Sequence, residues 1–227
     1  MGGEVVARYS PENPVALGVT APAVNTEPHS PVSSLVVGDN SDLMKQVATL
    51  WVRPDDVVVD CTYGRGVFWK ALPGFPTFGH DLAGDGTDLR NLPHGDATVD
   101  VVVLDPPYRP THGSKSFQGH ALANAYGLGG ESLDTIKDVI ALYAAGVAEA
   151  ARVLRPGGRL LCKTQDMTYG HRLHLVSMDV LRLMTEAGLG MADQFILGNK
   201  TQLSSPKWRR QERARRSHSV LWVGVKK

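Results

Sequence analysis

Short runs of β-branched and apolar residues alternate along this chain with longer stretches whose apolar positions recur every three to four residues. Residues 57–61, Val57-Val58-Val59-Asp60-Cys61, form a run of the first kind, polar only near its end. That pattern predicts a central parallel strand buried on both faces. Similar runs predict strands over 77–81, 99–104, 159–163, 193–197 and 219–225. Helical spacing predicts a helix over 41–51, with Asn40 or Ser41 as its N-cap and Pro54 beyond its end. Ile136, Val139, Ile140, Tyr143, Val147, Ala151 and Leu154 mark a second helix, which Pro156-Gly157-Gly158 is expected to end. A third is predicted over 173–187, with Gly188 as its stop. Strands alternating with helices predict an α/β fold with a mainly parallel sheet and right-handed crossovers. The last two predicted strands have only a basic stretch between them, so they are expected to pair antiparallel.

Residues 1–36 carry Pro11, Pro14, Pro22, Pro28 and Pro31 with little periodicity and read as an extended or partly disordered arm. Residues 37–227 then make one domain, and a hydrophobic content of 42% over 227 residues suffices for a core. The most apolar helical stretch, 139–154, is interrupted by Glu149 and Arg152, and no apolar run is long enough for a membrane span. No basic-then-apolar leader opens the chain, so a cytoplasmic protein is expected. Cys61 and Cys162 fall within predicted strands without ligand spacing, which predicts buried thiols and no metal site. The net charge of +1 conceals an asymmetry: residues 1–199 carry 15 Lys and Arg against 22 Asp and Glu, and residues 200–227 carry 9 against 1. An acidic body with one cationic element suits a polyanionic partner, although a solvated basic segment reads the same way.

In open parallel sheets ligands bind beyond the carboxyl ends of the strands, and three predicted strand ends carry an acid: Asp60, Asp81 and Asp105. Gly64-Arg65-Gly66 follows the first, so a ligand can approach the backbone there. Trp69 stands where a dinucleotide fingerprint needs its third glycine, and an acid before the loop would repel a pyrophosphate. A cationic ligand is favoured instead. Asp81 is placed to accept from ribose hydroxyls, and Asp88, or Asp85, from an adenine amino group. Adenosine joined to a cationic amino acid is S-adenosylmethionine. Asp105-Pro106-Pro107-Tyr108 ends the third strand, because two prolines cannot continue a central strand. Asp105 and the Pro106 carbonyl are expected to face outward as paired acceptors for a planar –NH2 group, with Tyr108 as a stacking face.

The series Asp60-x-x-x-Gly64-x-Gly66 followed by Asp105-Pro106-Pro107-Tyr108 resembles the class I S-adenosylmethionine-dependent methyltransferases, in particular the DNA methyltransferases acting on adenine N6 or cytosine N4. The resemblance implies a Rossmann-like sheet with an antiparallel last strand and S-adenosyl-L-methionine as cofactor. It implies cofactor contacts at Asp60, Thr62, Tyr63, Gly64, Gly66, Asp81 and Asp88, and catalysis at Asp105, Pro106, Pro107 and Tyr108. The chain departs from the family pattern at Asp60-Cys61-Thr62, where Asp-Pro-Phe is usual, so the aromatic contact is lost or moves to Tyr63. It also has no room between Asp81 and Asp88 for the usual helix and strand, and no stretch long enough for a target-recognition domain.

Sequence readout therefore falls to two loops. Residues 109–131 are rich in glycine and carry Arg109, His112, Lys115, Phe117, His120 and Tyr126. Residues 200–218 hold Lys207, Trp208, Arg209, Arg210, Arg213, Arg215 and Arg216, a set suited to phosphates. Lys163, Gln165 and Asp166 leave the fourth strand toward the same rim and are candidate contacts to a target base or its phosphate. His80, His94 and His174 read as surface or core residues. DNA is the favoured partner, with RNA as the alternative enzyme substrate and a catalytically inactive nucleic-acid-binding subunit as the alternative of another class.

Overall fold

A computed structural model describes residues 31–110, 133–199, 213–214 and 216–227 of the protein. Strand β1 (Leu35–Gly38) leads into helix α1 (Asn40–Trp51), whose cap is Asp39 rather than Asn40 or Ser41. The Asp39 carboxylate accepts from the Ser41 and Asp42 amides, and Asp42 accepts from the Asp39 amide at 3.0 Å. Ser41 is thereby released for burial, and its hydroxyl accepts from the Ala71 amide at 3.2 Å. This bond ties α1 to the segment after the glycine loop. β1 reaches two residues into the stretch read as an arm; residues 1–30 of that stretch lie outside the described residues.

Strand β2 (Val58–Asp60) is followed by a single 3-10 turn (Val67–Trp69), the two-residue β3 (Phe78–Gly79) and β4 (Val99–Leu104). Helix α2 (Ile136–Val153) runs directly into β5 (Leu154–Thr164). A hairpin of β6 (Met167–Tyr169) and β7 (Arg172–His174) precedes helix α3 (Val176–Glu186), and β8 (Leu189–Asn199) and β9 (His218–Lys226) complete the series. Seven strands form one sheet in the order β1-β8-β9-β5-β4-β2-β3, with β6 and β7 apart. β9 runs antiparallel to both neighbours, and every other pair in the sheet is parallel, as the pattern of the sequence predicts. No helix or strand intervenes between β3 and β4, so β3 is the sheet edge and Phe78 is 44% exposed there.

Several boundaries differ from expectation; β8, for one, begins at Leu189 instead of 193, and β3 keeps only Phe78–Gly79 of 77–81. α2 ends at Val153, before Pro156-Gly157-Gly158, because Leu154 is fully buried as the partner of Val99. The next pair in register is Val101 with Arg159, so the Pro-Gly-Gly segment is an excursion within the strand rather than the end of the helix. α3 begins at Val176 instead of 173, because residues 167–174 turn back at Gly170 and His171. Both have positive φ, +55° and +60°, the backbone that a two-residue hairpin turn requires.

Both faces of the central strands are buried. Val59, Val102, Leu104, Leu160 and Cys162 face α2 and α3, while Val58, Val101, Val103, Leu161 and Leu221 face α1 and the 3-10 turn. Cys61 and Cys162 are buried free thiols, and the Cys61 thiol donates to the Val103 carbonyl. At the end of the sheet opposite the strand termini with acids, Arg159 pairs with Asp56, each about 95% buried, and also donates to the Trp51 carbonyl at 3.2 Å. Among the described residues no helix is long and apolar enough to cross a membrane.

Candidate active site

The parallel strands β2, β3, β4 and β5 all end on one rim, which brings Asp60, Asp81, Asp105 and Lys163 together from four separate parts of the chain. An open cleft lies beside them. Its walls are Cys61, Thr62, Asp81, Leu82, Thr87, Asp88, Leu89, Arg90, Pro107 and Leu142.

The glycine loop is fixed from beneath. Gly64 and Gly66 have φ of +51° and +65°, and a Cβ on Gly66 would meet the Tyr63 hydroxyl at 2.6 Å. The Tyr63 ring packs between Gly66 and Gly79, so it supports the loop and is not among the residues lining the cleft. Asp60 is likewise turned inward. It is 1% exposed, and its carboxylate accepts from the Thr62 amide at 2.9 Å, the Thr62 hydroxyl at 3.2 Å and the Trp69 indole N–H at 2.7 Å. Asp60 and Tyr63, expected as direct contacts to a ligand, therefore shape the loop that a ligand would touch.

Burial pushes the Asp60 carboxyl up from 3.8 to about 6 despite these bonds, and the nearby Asp105 adds to the rise. Asp60 thus holds its proton more tightly in the fold than in the unfolded chain. Its contribution to stability is present below about pH 3.8 and is lost as the pH rises through about 6. Trp69→Phe removes a donor that favours the ionised form. The variant should therefore lose about 1.5–3 kcal/mol more stability at pH 8 than at pH 5, read by urea denaturation. Packing loss is the same at both pH values, so an equal deficit at each would show that the indole bond is not what holds Asp60.

On the cofactor-side wall, Asp81 accepts from the Gly64 amide at 3.1 Å and the Ala83 amide at 2.9 Å, which locks the loop against the end of β3. Each oxygen retains acceptor capacity toward the cleft. Asp88 also lines the cleft, but it is engaged by Arg90, whose Nε and Nη2 donate to it at 2.9 and 2.6 Å. Asp85 is exposed and lies outside the cleft lining. It accepts from the Asp81 and Thr87 amides and the Thr87 hydroxyl, and contacts His80 Nδ1 at 2.6 Å. These bonds hold its carboxyl well below the usual range and make it a turn residue. His80 in turn contacts His94 at 2.9 Å, and Phe78 stacks nearly parallel to His80, so the two histidines help to close the open sheet edge.

At the end of β4 the Asp105 amide donates to the Thr62 hydroxyl at 2.9 Å, and that hydroxyl donates to Asp60. One threonine thus fixes the Pro-Pro turn to the glycine loop. The Asp105 carboxylate does not project outward as expected. Its side chain is 14% exposed, and both oxygens lie 3.2 Å from the Lys163 ammonium, itself 5% exposed. Burial raises the Asp105 carboxyl, and Lys163 opposes that rise. Lys163 Nζ also sits 5.6 Å from the Tyr108 ring centre and 5.8 Å from that of Phe68. Pro106 and Pro107 are buried, and Pro107 forms part of the cleft wall.

Among the proposed nucleic-acid contacts, Arg109 is exposed directly after Tyr108, and Arg213 is exposed at the start of the segment entering β9. Gln165 is 5% exposed and donates to the carbonyls of Arg216 and His218, which anchors that segment to the end of β5. Lys163 is not available to a phosphate, because it is buried against Asp105. Asp166 accepts from the Ser177 amide and so caps the start of α3. Lys207, Trp208, Arg209, Arg210 and Arg215 lie outside the described residues, as do His112, Lys115, Phe117, His120 and Tyr126. The sequence reading missed the roles of Trp69 and Phe68; a tryptophan replacing the expected glycine was the one local signal. Leu89, Thr87 and Leu142 carried none, since only packing brings them to the cleft.

No family model and no curated protein matches the chain. Several solved structures resemble it. One is a Thermus thermophilus protein named as a candidate DNA modification methylase and solved with S-adenosyl-L-methionine; it is 20% identical over 61% of this chain and 53% of its own, with a TM-score of 0.41. The cytosine-N4-specific PvuII DNA methyltransferase is 17% identical over 60% of this chain and 45% of its own, with a TM-score of 0.41. A SAM-dependent methyltransferase from Methanosarcina mazei is 11% identical over 78% and 94%, with a TM-score of 0.47. These neighbours are all methyltransferases by name. The chain spans about half the length of the Thermus protein and of the PvuII enzyme.

Proposed function

We propose that this chain is an S-adenosyl-L-methionine-dependent methyltransferase that modifies an exocyclic amine of a DNA base, adenine N6 first among them. The observation that carries this reading is the Asp105-Pro106-Pro107-Tyr108 turn, bonded through Thr62 to a glycine loop and opening on the cleft that Pro107 shares with Asp81. A carboxylate, a rigid turn carbonyl and an aromatic ring in that order suit a flat, uncharged amine.

The residues present fit the cofactor. Gly64 leaves the backbone exposed at the loop, Asp81 keeps acceptor capacity for hydroxyl groups, and Leu82, Leu89 and Leu142 supply apolar walls for a purine. Asp88 and Arg90, already paired, are suited to the polar edge of that purine. When bound, S-adenosyl-L-methionine supplies an electrophilic methyl group. Asp105 and the Pro106 carbonyl would accept the two amine hydrogens and free the nitrogen lone pair for methylation, with one amine proton then released to solvent. Tyr108 receives the base on its free side, offsetting part of the few kcal/mol that extrusion from a duplex costs. Positioning and exclusion of water account for most of the acceleration. Arg109 and Arg213, both exposed, are suited by charge to contact a phosphate backbone.

The test is incubation of the full chain with tritiated S-adenosyl-L-methionine and, in separate tubes, unmodified duplex DNA, single-stranded DNA and total RNA, followed by mass spectrometry of the nucleosides. N6-methyldeoxyadenosine is the expected product. N4-methyldeoxycytidine would change the base and keep the mechanism, whereas a methylated ribonucleoside would replace the DNA reading. Cofactor binding with no product on any substrate would overturn the catalytic assignment.

A further inference from the structure

The motif at the end of β4 accounts for Asp105 but not for the cation buried against it. Lys163 comes from β5, is 5% exposed, and spans both Asp105 oxygens at 3.2 Å. Its stem is held by the strand: the Lys163 carbonyl accepts from the Tyr143 hydroxyl at 2.9 Å, and its backbone pairs with Leu221 of β9. Its ammonium lies over the rings of Phe68 and Tyr108. An ammonium enclosed in this way cannot reach a phosphate at the rim. Taking two charges out of water is costly, and such a pair is weak evidence for a contribution to stability. Its place at the motif suggests a different use.

We propose that Lys163 is a positioning residue that keeps the Asp105 carboxylate ionised and in one orientation, and that the neutral pair sets the acceptor pocket for an uncharged amine. The second half rests on the reading of the site as an amine methyltransferase; the first half does not. The groups around Asp105 make the need for a cation plain. Asp60 from β2 adds negative charge, Cys162 from β5 and Tyr143 from α2 are buried neutral groups, and Tyr108 lies on the same turn. Lys163 is the positive group paired with it. Without it, Asp105 would take up a proton, and a protonated carboxyl presents a donor where the substrate amine needs an acceptor. Because Asp105 is already neutralised, a protonated aliphatic amine gains no net attraction in the pocket. A base amine, uncharged at neutral pH, loses nothing.

The experiment follows Asp105 directly. With aspartate carboxyl groups labelled with carbon-13 and the Asp105 signal assigned by its absence in Asp105→Asn, the titration is compared in the wild type, Lys163→Met and Lys163→Arg. Loss of an adjacent cation should move the Asp105 midpoint up by about one to three pH units in Lys163→Met, while Lys163→Arg stays close to the wild type. In a methyl-transfer assay the acid limb of kcat should move up by the same interval, with cofactor affinity unchanged. An Asp105 midpoint that is the same in Lys163→Met as in the wild type overturns the proposal, whatever the activity. If Lys163→Met does not fold, a midpoint near the wild-type value in Lys163→Gln serves the same purpose. A shifted midpoint in a protein that methylates no nucleic acid would retain the role of Lys163 in ionisation and sink the substrate reading alone.

Discussion

Asp105→Asn should lower methyl transfer by about 10²–10³-fold while leaving the dissociation constant for S-adenosyl-L-methionine within a few fold of the wild type. The amide keeps the shape of the side chain and can still accept from Lys163, but it presents an N–H group where the carboxylate offered a second acceptor. Single-turnover transfer of a tritiated methyl group, beside calorimetric titration of the cofactor, separates the two quantities. Transfer within about tenfold of the wild type would remove Asp105 from the chemistry. Asp105→Ala is a poorer test, because it leaves the Lys163 ammonium, 5% exposed, without its carboxylate. Breaking such a pair on one side costs about 3–5 kcal/mol, so lost activity would be mixed with lost structure. The double variant Asp105→Ala/Lys163→Met should recover most of that stability and remain inactive.

Asp56→Ala should be the most damaging single change away from the cleft, at about 3–5 kcal/mol in urea denaturation. Arg159 and Asp56 are buried to within 6% and 5% of full enclosure, and the same carboxylate accepts from the Arg53 amide at 2.6 Å. Its loss leaves a guanidinium with the Trp51 carbonyl as its remaining partner among the described residues. Replacing both members with apolar residues, as in Asp56→Leu/Arg159→Met, should be close to neutral, because no unpaired charge is then buried. A cost below about 1 kcal/mol for Asp56→Ala would mean that water reaches Arg159 and that the turn before β2 is looser than its burial implies.

The framework of the fold was legible in the order of residues. Runs such as Val57-Val58-Val59 and Val99–Leu104 can be satisfied only by burial on both faces, which requires neighbours in the sheet and helices above and below it. Gly188 ended α3 where the sequence placed it, with φ of +85°, because a glycine takes the left-handed cap conformation without strain. The hairpin of β6 and β7 was hidden because its turn needs positive φ at His171, which nothing in the residue type demands. The four residues of β1 alternate too briefly to show a period, and their pairing partner is Ile196 to Asn199. The acids at the ends of β2, β3 and β4 were legible for the same reason as the strands, since the polar residue marks where burial stops. What each carboxylate does was not. Asp60 is spent on Thr62 and Trp69, Asp85 on His80 and Thr87, and Asp88 on Arg90, whereas Asp81 holds the Gly64 amide and still faces the cleft. Asp105 meets a lysine 58 positions along the chain, and its amide meets a threonine 43 positions before it. A carboxylate is the same group in every sequence; its charge state and direction come from the partners that packing brings within about 3 Å, and those are chosen by the fold as a whole.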